Sequence, residues 1–209
     1  MILEMSLQAT VAPGGITDAP DGGGFRSTID ASAGGAFANP PDAYVYAKFT
    51  EAGLVKVSLD DEAALRSMDW DIAFRRYVIR INSGDSGPSC VVAARLPPGA
   101  TYETAAPPAN EALYRIDDTY TPDCTFVADG SGLPSSPATA LASYYSYPGC
   151  LSMTGNIYVA RLASGRNVKL TITSYYAPQA NQDFCEQNSA APTPPNGAAT
   201  IGMRWAFLN

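Results

Sequence analysis

The sequence predicts an all-β fold: one domain rich in antiparallel sheet, with one short helix and long Pro/Gly-rich loops. Three observations carry that expectation. Apolar residues recur with a period of two in several short runs, as on half-buried strands. Eighteen glycines and 17 prolines in 209 residues punctuate the chain too often for long helices. Only 16% of residues are charged, against about 25% in an average soluble domain, while 46% are hydrophobic, enough for a sizeable core.

In chain order, residues 1–24 are small and end in Asp21-Gly22-Gly23-Gly24, which reads as a flexible tether or a frayed terminus. Residues 25–209 form the domain. A first strand is expected at 25–31, ended by Gly34-Gly35. Segments 44–49 (YVYAKF) and 54–59 (LVKVSL) flank Glu51-Ala52-Gly53 as a hairpin. Residues 60–67 (DDEAALRS) place acids first and Arg66 late, in accord with a helix dipole, and give the one short helix. Residues 70–82 read as a long strand or bent strand pair closed by Gly84-Asp85-Ser86-Gly87-Pro88. Between 96 and 140 regular structure should be sparse. Strand order returns at 141–147, then in the pair 156–162 and 167–176 around Ser164-Gly165. In the second of that pair, Val168, Leu170 and Ile172 face one way and Lys169, Thr171 and Thr173 the other. Ile201, Met203, Trp205 and Phe207 repeat the alternation in a last strand, after a proline-rich excursion over 177–199.

Composition excludes several function classes. The net charge of −7, with 13 basic residues, is unsuited to nucleic acid. The chain contains no histidine, which removes Ser-His-Asp triads, the common zinc sites and His-ligated haem. Gly84-Asp85-Ser86-Gly87-Pro88 looks superficially like a serine-protease nucleophile loop. Without a histidine base it reads as a glycine-rich turn, and the protein is expected to bind rather than catalyse. Asp60-Asp61-Glu62 and Asp117-Asp118 lack calcium-loop spacing and read as solvated charge.

Cys90, Cys124, Cys150 and Cys185 are dispersed and even in number. That pattern favours two disulfides and an oxidising, extracellular or cell-surface location; four buried thiols is the alternative. The hairpin of 156–162 and 167–176 brings its two outer ends to one edge, so Cys150–Cys185 is the favoured bridge and Cys90–Cys124 the remainder. No run approaches the ~20 apolar residues of a membrane span. Residues 1–13 have no basic start, so an export signal or lipid anchor is not visible in this chain. A monomer is expected.

Two clusters are candidates for binding. Trp70, Asp71, Arg75 and Arg76 could grip a carboxylate; the plainer reading pairs Asp71 with an arginine across strands while Trp70 and Phe74 anchor the core. Tyr144, Tyr145 and Tyr147 beside Pro148-Gly149 suit either a platform for a planar ligand, sugar or protein, or ordinary packing. Tyr175-Tyr176, at a strand end, suit packing.

Residues 69–77 (DWDIAFRRY) through 81–87 (INSGDSG) resemble the signature of the HmuY-like haem-binding proteins, which are bacterial, exported, surface-associated β proteins. Further matches follow in order: 28–32 (TIDAS), 44–46 (YVY) before Gly53, and 157–170 closing in Ser174-Tyr175-Tyr176. The resemblance implies an HmuY-like fold over about 25–208 and a surface protein that captures haem or a related tetrapyrrole. The alternative on the same scaffold is a structural or binding module for a polysaccharide or protein receptor. The best-understood members hold haem through two loop histidines, which are absent here. The loop aligned with one of them, 144–153, offers Tyr145, Tyr147 and Met153 as axial donors.

Overall fold

A computed structural model describes residues 14–32, 44–133 and 136–208. Strands β1 (Ile16–Asp21), β2 (Gly24–Asp30), β3 (Val45–Thr50) and β4 (Gly53–Val57) precede helix α1 (Asp61–Ala64). Then come β5 (Ile72–Arg75), β6 (Val78–Ile81), β7 (Val92–Arg95), β8 (Tyr145–Ser146) and β9 (Ser152–Met153). The chain continues through β10 (Tyr158–Arg161), β11 (Asn167–Ser174), helix α2 (Gln179–Asn188) and β12 (Thr200–Leu208). One sheet has the order β1-β2-β12-β11-β10-β7, a second β4-β3-β5-β6, and β8-β9 form a small ribbon. Every strand pair is antiparallel. The all-β expectation holds.

The two larger sheets share one core. Ile29, Leu170 and Trp205 from the first meet Val45, Phe74 and Ile79 from the second in a single buried cluster. Phe49 of β3 sets its ring edge-on to Trp205 of β12, 4.8 Å between centroids. Such contacts add to the burial of the rings themselves. A polar seam crosses the same junction. Trp205 Nε1 donates to Ser27 Oγ at 2.8 Å, Ser27 Oγ donates to Asp18 Oδ1, and Leu54 N donates to Asp18 Oδ2 at 2.7 Å. On β11 the expected inward set of Val168, Leu170 and Ile172 is buried.

Several expectations need correction. Residues 16–21 are not a tether: β1 pairs along its whole length with β2, and Gly22-Gly23, both at positive φ, make the hairpin turn. Its side chains are mostly exposed, so the strand is held by its ladder and shows no apolar alternation. Residues 1–13 lie outside the described residues. The proline-rich excursion contains a second helix, α2, whose buried residues are Gln182 and Cys185. A helix that buries a glutamine and a cysteine presents no apolar stripe to read. The strand expected over 141–147 shrinks to β8.

The 70–82 segment is the bent pair, β5 and β6, with Trp70 and Phe74 fully buried. Asp71 does not pair with an arginine. Its carboxylate accepts from Phe49 N at 3.0 Å, and burial raises its pKa. Arg75 and Arg80 lie instead over the Tyr44 ring, 4.3 and 4.2 Å from its centroid. Asp117, read as solvated, is fully buried. It accepts from Ile81 N at 3.0 Å and Ala140 N at 2.9 Å, which pins the long 96–140 excursion to the second sheet. Burial outweighs those bonds and pushes its pKa up to about 6. Gly84-Asp85-Ser86 forms a single 3-10 turn, and Asp85 accepts from Thr119 N at 2.8 Å.

Cys150 and Cys185 are bridged, as the hairpin argument favours, with Cα atoms 5.9 Å apart. The second expected bridge is not formed: Cys90 and Cys124 are free thiols, both exposed. The first pair hangs from one sheet edge, whereas Cys90 and Cys124 sit on separate loops with no hairpin to fix them together.

Candidate functional site

The strongest candidate site is an aromatic cleft of about 150 Å³ where five segments converge, one of them the long excursion through Leu133. The β5–β6 turn contributes Arg76 and Tyr77, the β8–β9 region Tyr147 and Leu151, and the end of β11 Tyr175 and Tyr176. Asn196 and Ala198, between α2 and β12, close it.

Each wall is held by identifiable bonds. Helix α2 docks through the fully buried Gln182, whose Oε1 accepts from Tyr175 N at 2.9 Å and Tyr176 N at 3.3 Å. Its Nε2 donates to Leu151 O at 3.0 Å and Glu186 Oε1 at 3.0 Å. The Cys150–Cys185 bridge ties the same loop to the same helix. Tyr144 Oη donates to Tyr77 O at 2.6 Å, locking the β5–β6 turn against the tyrosine loop. Arg76, at φ 53°, donates its backbone N–H to Ala31 O at 2.9 Å. Among the described residues Arg76 is the one charged residue lining the cleft, and its charge opposes the effect of burial on Tyr175, whose pKa is nonetheless raised.

The three sequence candidates fall in different surroundings. Tyr147 lines the cleft and is 37% exposed, so its phenol is reachable. Tyr145 is 2% exposed, and its hydroxyl meets Ser136 Oγ at 2.7 Å and Asp129 Oδ2 at 3.1 Å. Burial pushes the Tyr145 phenol up to about 12, so its phenolate is costly to form. Met153 pairs with Tyr145 across β8–β9 and packs against the core. Tyr144 is also buried, so the tyrosine cluster divides between packing and rim. Tyr175 and Tyr176 pack as expected, yet they also line the cleft.

Sequence reasoning missed Gln182 and Tyr77 as cleft builders. Of the arginine pair named from the sequence as a grip on a carboxylate, Arg76 lines the cleft and Arg75 does not. Among the described residues no group of His, Cys, Asp and Glu is placed to hold a metal ion.

The chain as a whole superposes on solved bacterial proteins. A candidate HmuY-like haem-binding protein from Bacteroides vulgatus superposes with a TM-score of 0.52 at 15% identity, covering 91% of this chain and 96% of that one. The chain has the HmuY-like fold. A candidate lipoprotein from Bacteroides fragilis gives a TM-score of 0.51 at 11% identity over 91% of this chain and 95% of its own. No family model and no curated protein matches the chain. Identities this low establish the HmuY-like fold and leave the ligand to be argued from the cleft.

Proposed function

We propose that this chain is an exported, cell-surface binding protein that captures haem or a related tetrapyrrole along the tyrosine cleft. The observation that carries the reading is Tyr147, an accessible phenol on the rim of an aromatic cleft that also holds one arginine. Flat apolar rings lie well against Tyr77, Tyr175 and Tyr176, and a guanidinium favours a carboxylate at the ligand's edge. The HmuY-like fold, shared with a candidate haem-binding protein, supports the same class of ligand.

The cleft sets a limit on how such a ring is held. Sites that enclose a drug-sized ligand run from about 300 Å³ upward, twice the space here. The residues fit a ring gripped by one edge, its far side open to solvent or to a receptor. Tyr147 is then the axial donor, with iron arriving as cargo. Tyr145 and Met153 are not among the residues lining the cleft.

Haemin titrated into the purified protein should give a saturable one-to-one shift of the Soret band. Tyr147→Phe should weaken it by at least about tenfold, while Tyr145→Phe and Met153→Ala leave it in place. If neither oxidised nor reduced haem gives a saturable shift, the haem reading fails and the polysaccharide- or protein-binding module replaces it.

A further inference from the structure

A second cleft lies beside β7, lined by Arg95, Arg115 and residues of the 138–143 segment. We propose that it is a binding site for a small hydroxylated carboxylate of the acidic-sugar class, with Arg95 and Arg115 as the anion grip.

The argument begins with where the arginines go. The chain is acidic, and six of its ten arginines are ion-paired: Arg26, Arg66, Arg75, Arg161, Arg166 and Arg204. Among the described residues Arg95 and Arg115 form no ion pair, and both line one cleft of about 370 Å³. In a chain with 20 carboxylates, two arginines lining one space against a single carboxylate, Asp129, leave that space short of negative charge.

Arg115 is already fixed. Its Nη1 donates to Ala112 O at 2.5 Å and Tyr114 O at 3.2 Å, and its backbone pairs with Ala93 of β7. Little side-chain freedom remains to be lost on binding. Arg95, itself exposed, ends β7, the last strand in the order of the larger sheet.

The other walls narrow the class. Asp129 lines the same cleft, but its carboxylate already accepts from Ser131 N, Ser136 Oγ and Tyr145 Oη. Two guanidiniums and one carboxylate leave one net positive charge, which suits a monoanionic carboxylate better than a doubly charged phosphate. Thr139 and Ser143 bring hydroxyls to the lining, and Leu113, 41% exposed, gives an apolar wall. A sugar ring offers the matching set: C–H faces for leucine, hydroxyls for Thr139 and Ser143, and a carboxylate for the arginines. The volume falls within the range of small-molecule sites.

The test is an amide NMR titration of the whole chain with D-glucuronate and D-galacturonate, with D-glucose and inorganic phosphate as comparison arms. At least one uronate should move the amides of residues 139–143 saturably, and glucose should not. Arg95→Gln should weaken that response at least about tenfold, the scale of one charge-assisted bond. Its spectrum also reports whether the fold is intact. The proposal is overturned if neither uronate gives a saturable shift, if Arg95→Gln binds as tightly as the parent, or if glucose or phosphate binds as well as the uronates.

Discussion

Replacing Gln182 with alanine should unfasten the aromatic cleft without unfolding the sheets. The side chain is fully buried and makes four hydrogen bonds, two received from Tyr175 N and Tyr176 N and two given to Leu151 O and Glu186 Oε1. Its removal strands two backbone donors and one backbone acceptor in the interior. Each buried orphan costs about 1–3 kcal/mol. Glu186 is exposed and can turn to water, so it adds little. The bridge three residues along α2 keeps Leu151 near, which lets water or small shifts recover part of the loss. The net expectation is about 3–4 kcal/mol. Gln182→Glu separates polarity from geometry. Its carboxylate still accepts from the two tyrosine amides but faces Leu151 O and Glu186 oxygen to oxygen. It should be worse than alanine at neutral pH and improve as the solution is acidified. Urea unfolding followed by far-UV circular dichroism measures the stability, and the tyrosine near-UV signal reports the cleft. A loss under about 1 kcal/mol for Gln182→Ala, with the near-UV signal unchanged, would show that α2 is seated by something other than this amide.

Two further perturbations test the core. Asp117 holds its proton to about pH 6 when folded, but its ordinary carboxylate value is 3.8. Its contribution is therefore complete below about pH 4 and is lost as pH rises through 6, a change of about 3 kcal/mol. The stability difference between Asp117→Asn and the parent, measured by urea at about pH 4 and about pH 7, should move by that amount in favour of asparagine at the higher pH; a difference that stays constant refutes it. Ser27→Ala removes the acceptor of the buried Trp205 indole and should cost about 1–3 kcal/mol in urea, with a change in tryptophan fluorescence. A cost under about 0.5 kcal/mol would mean that Trp205 finds another acceptor.

What the sequence made legible was whatever packs by alternation. Val168, Leu170 and Ile172, or Ile201, Met203 and Trp205, declare a buried face because burial acts on every second side chain. The Cys150–Cys185 bridge followed from the same strands, since an antiparallel hairpin fixes which ends meet. What stayed hidden is held by polar groups. Helix α2 is seated by Gln182 and a cysteine, β1 by its ladder, and the long excursion by Asp117, and none of these leaves an apolar period. The site divided the same way: the tyrosine loop was visible as composition, but the turn of Tyr145 inward and Tyr147 outward depends on Asp129 and Ser136, which nothing local announces.

The place of β12 has a consequence for the order of assembly. It lies between β2 and β11, joining the earliest strands of the larger sheet to its late hairpin. Until residues 200–208 have been made, the β1–β2 hairpin has no partner on its inner side and Trp205 is missing from the shared core. Folding of the larger sheet therefore waits on the synthesis of β12, and a chain that lacks this strand forfeits the junction between both halves of its sheet.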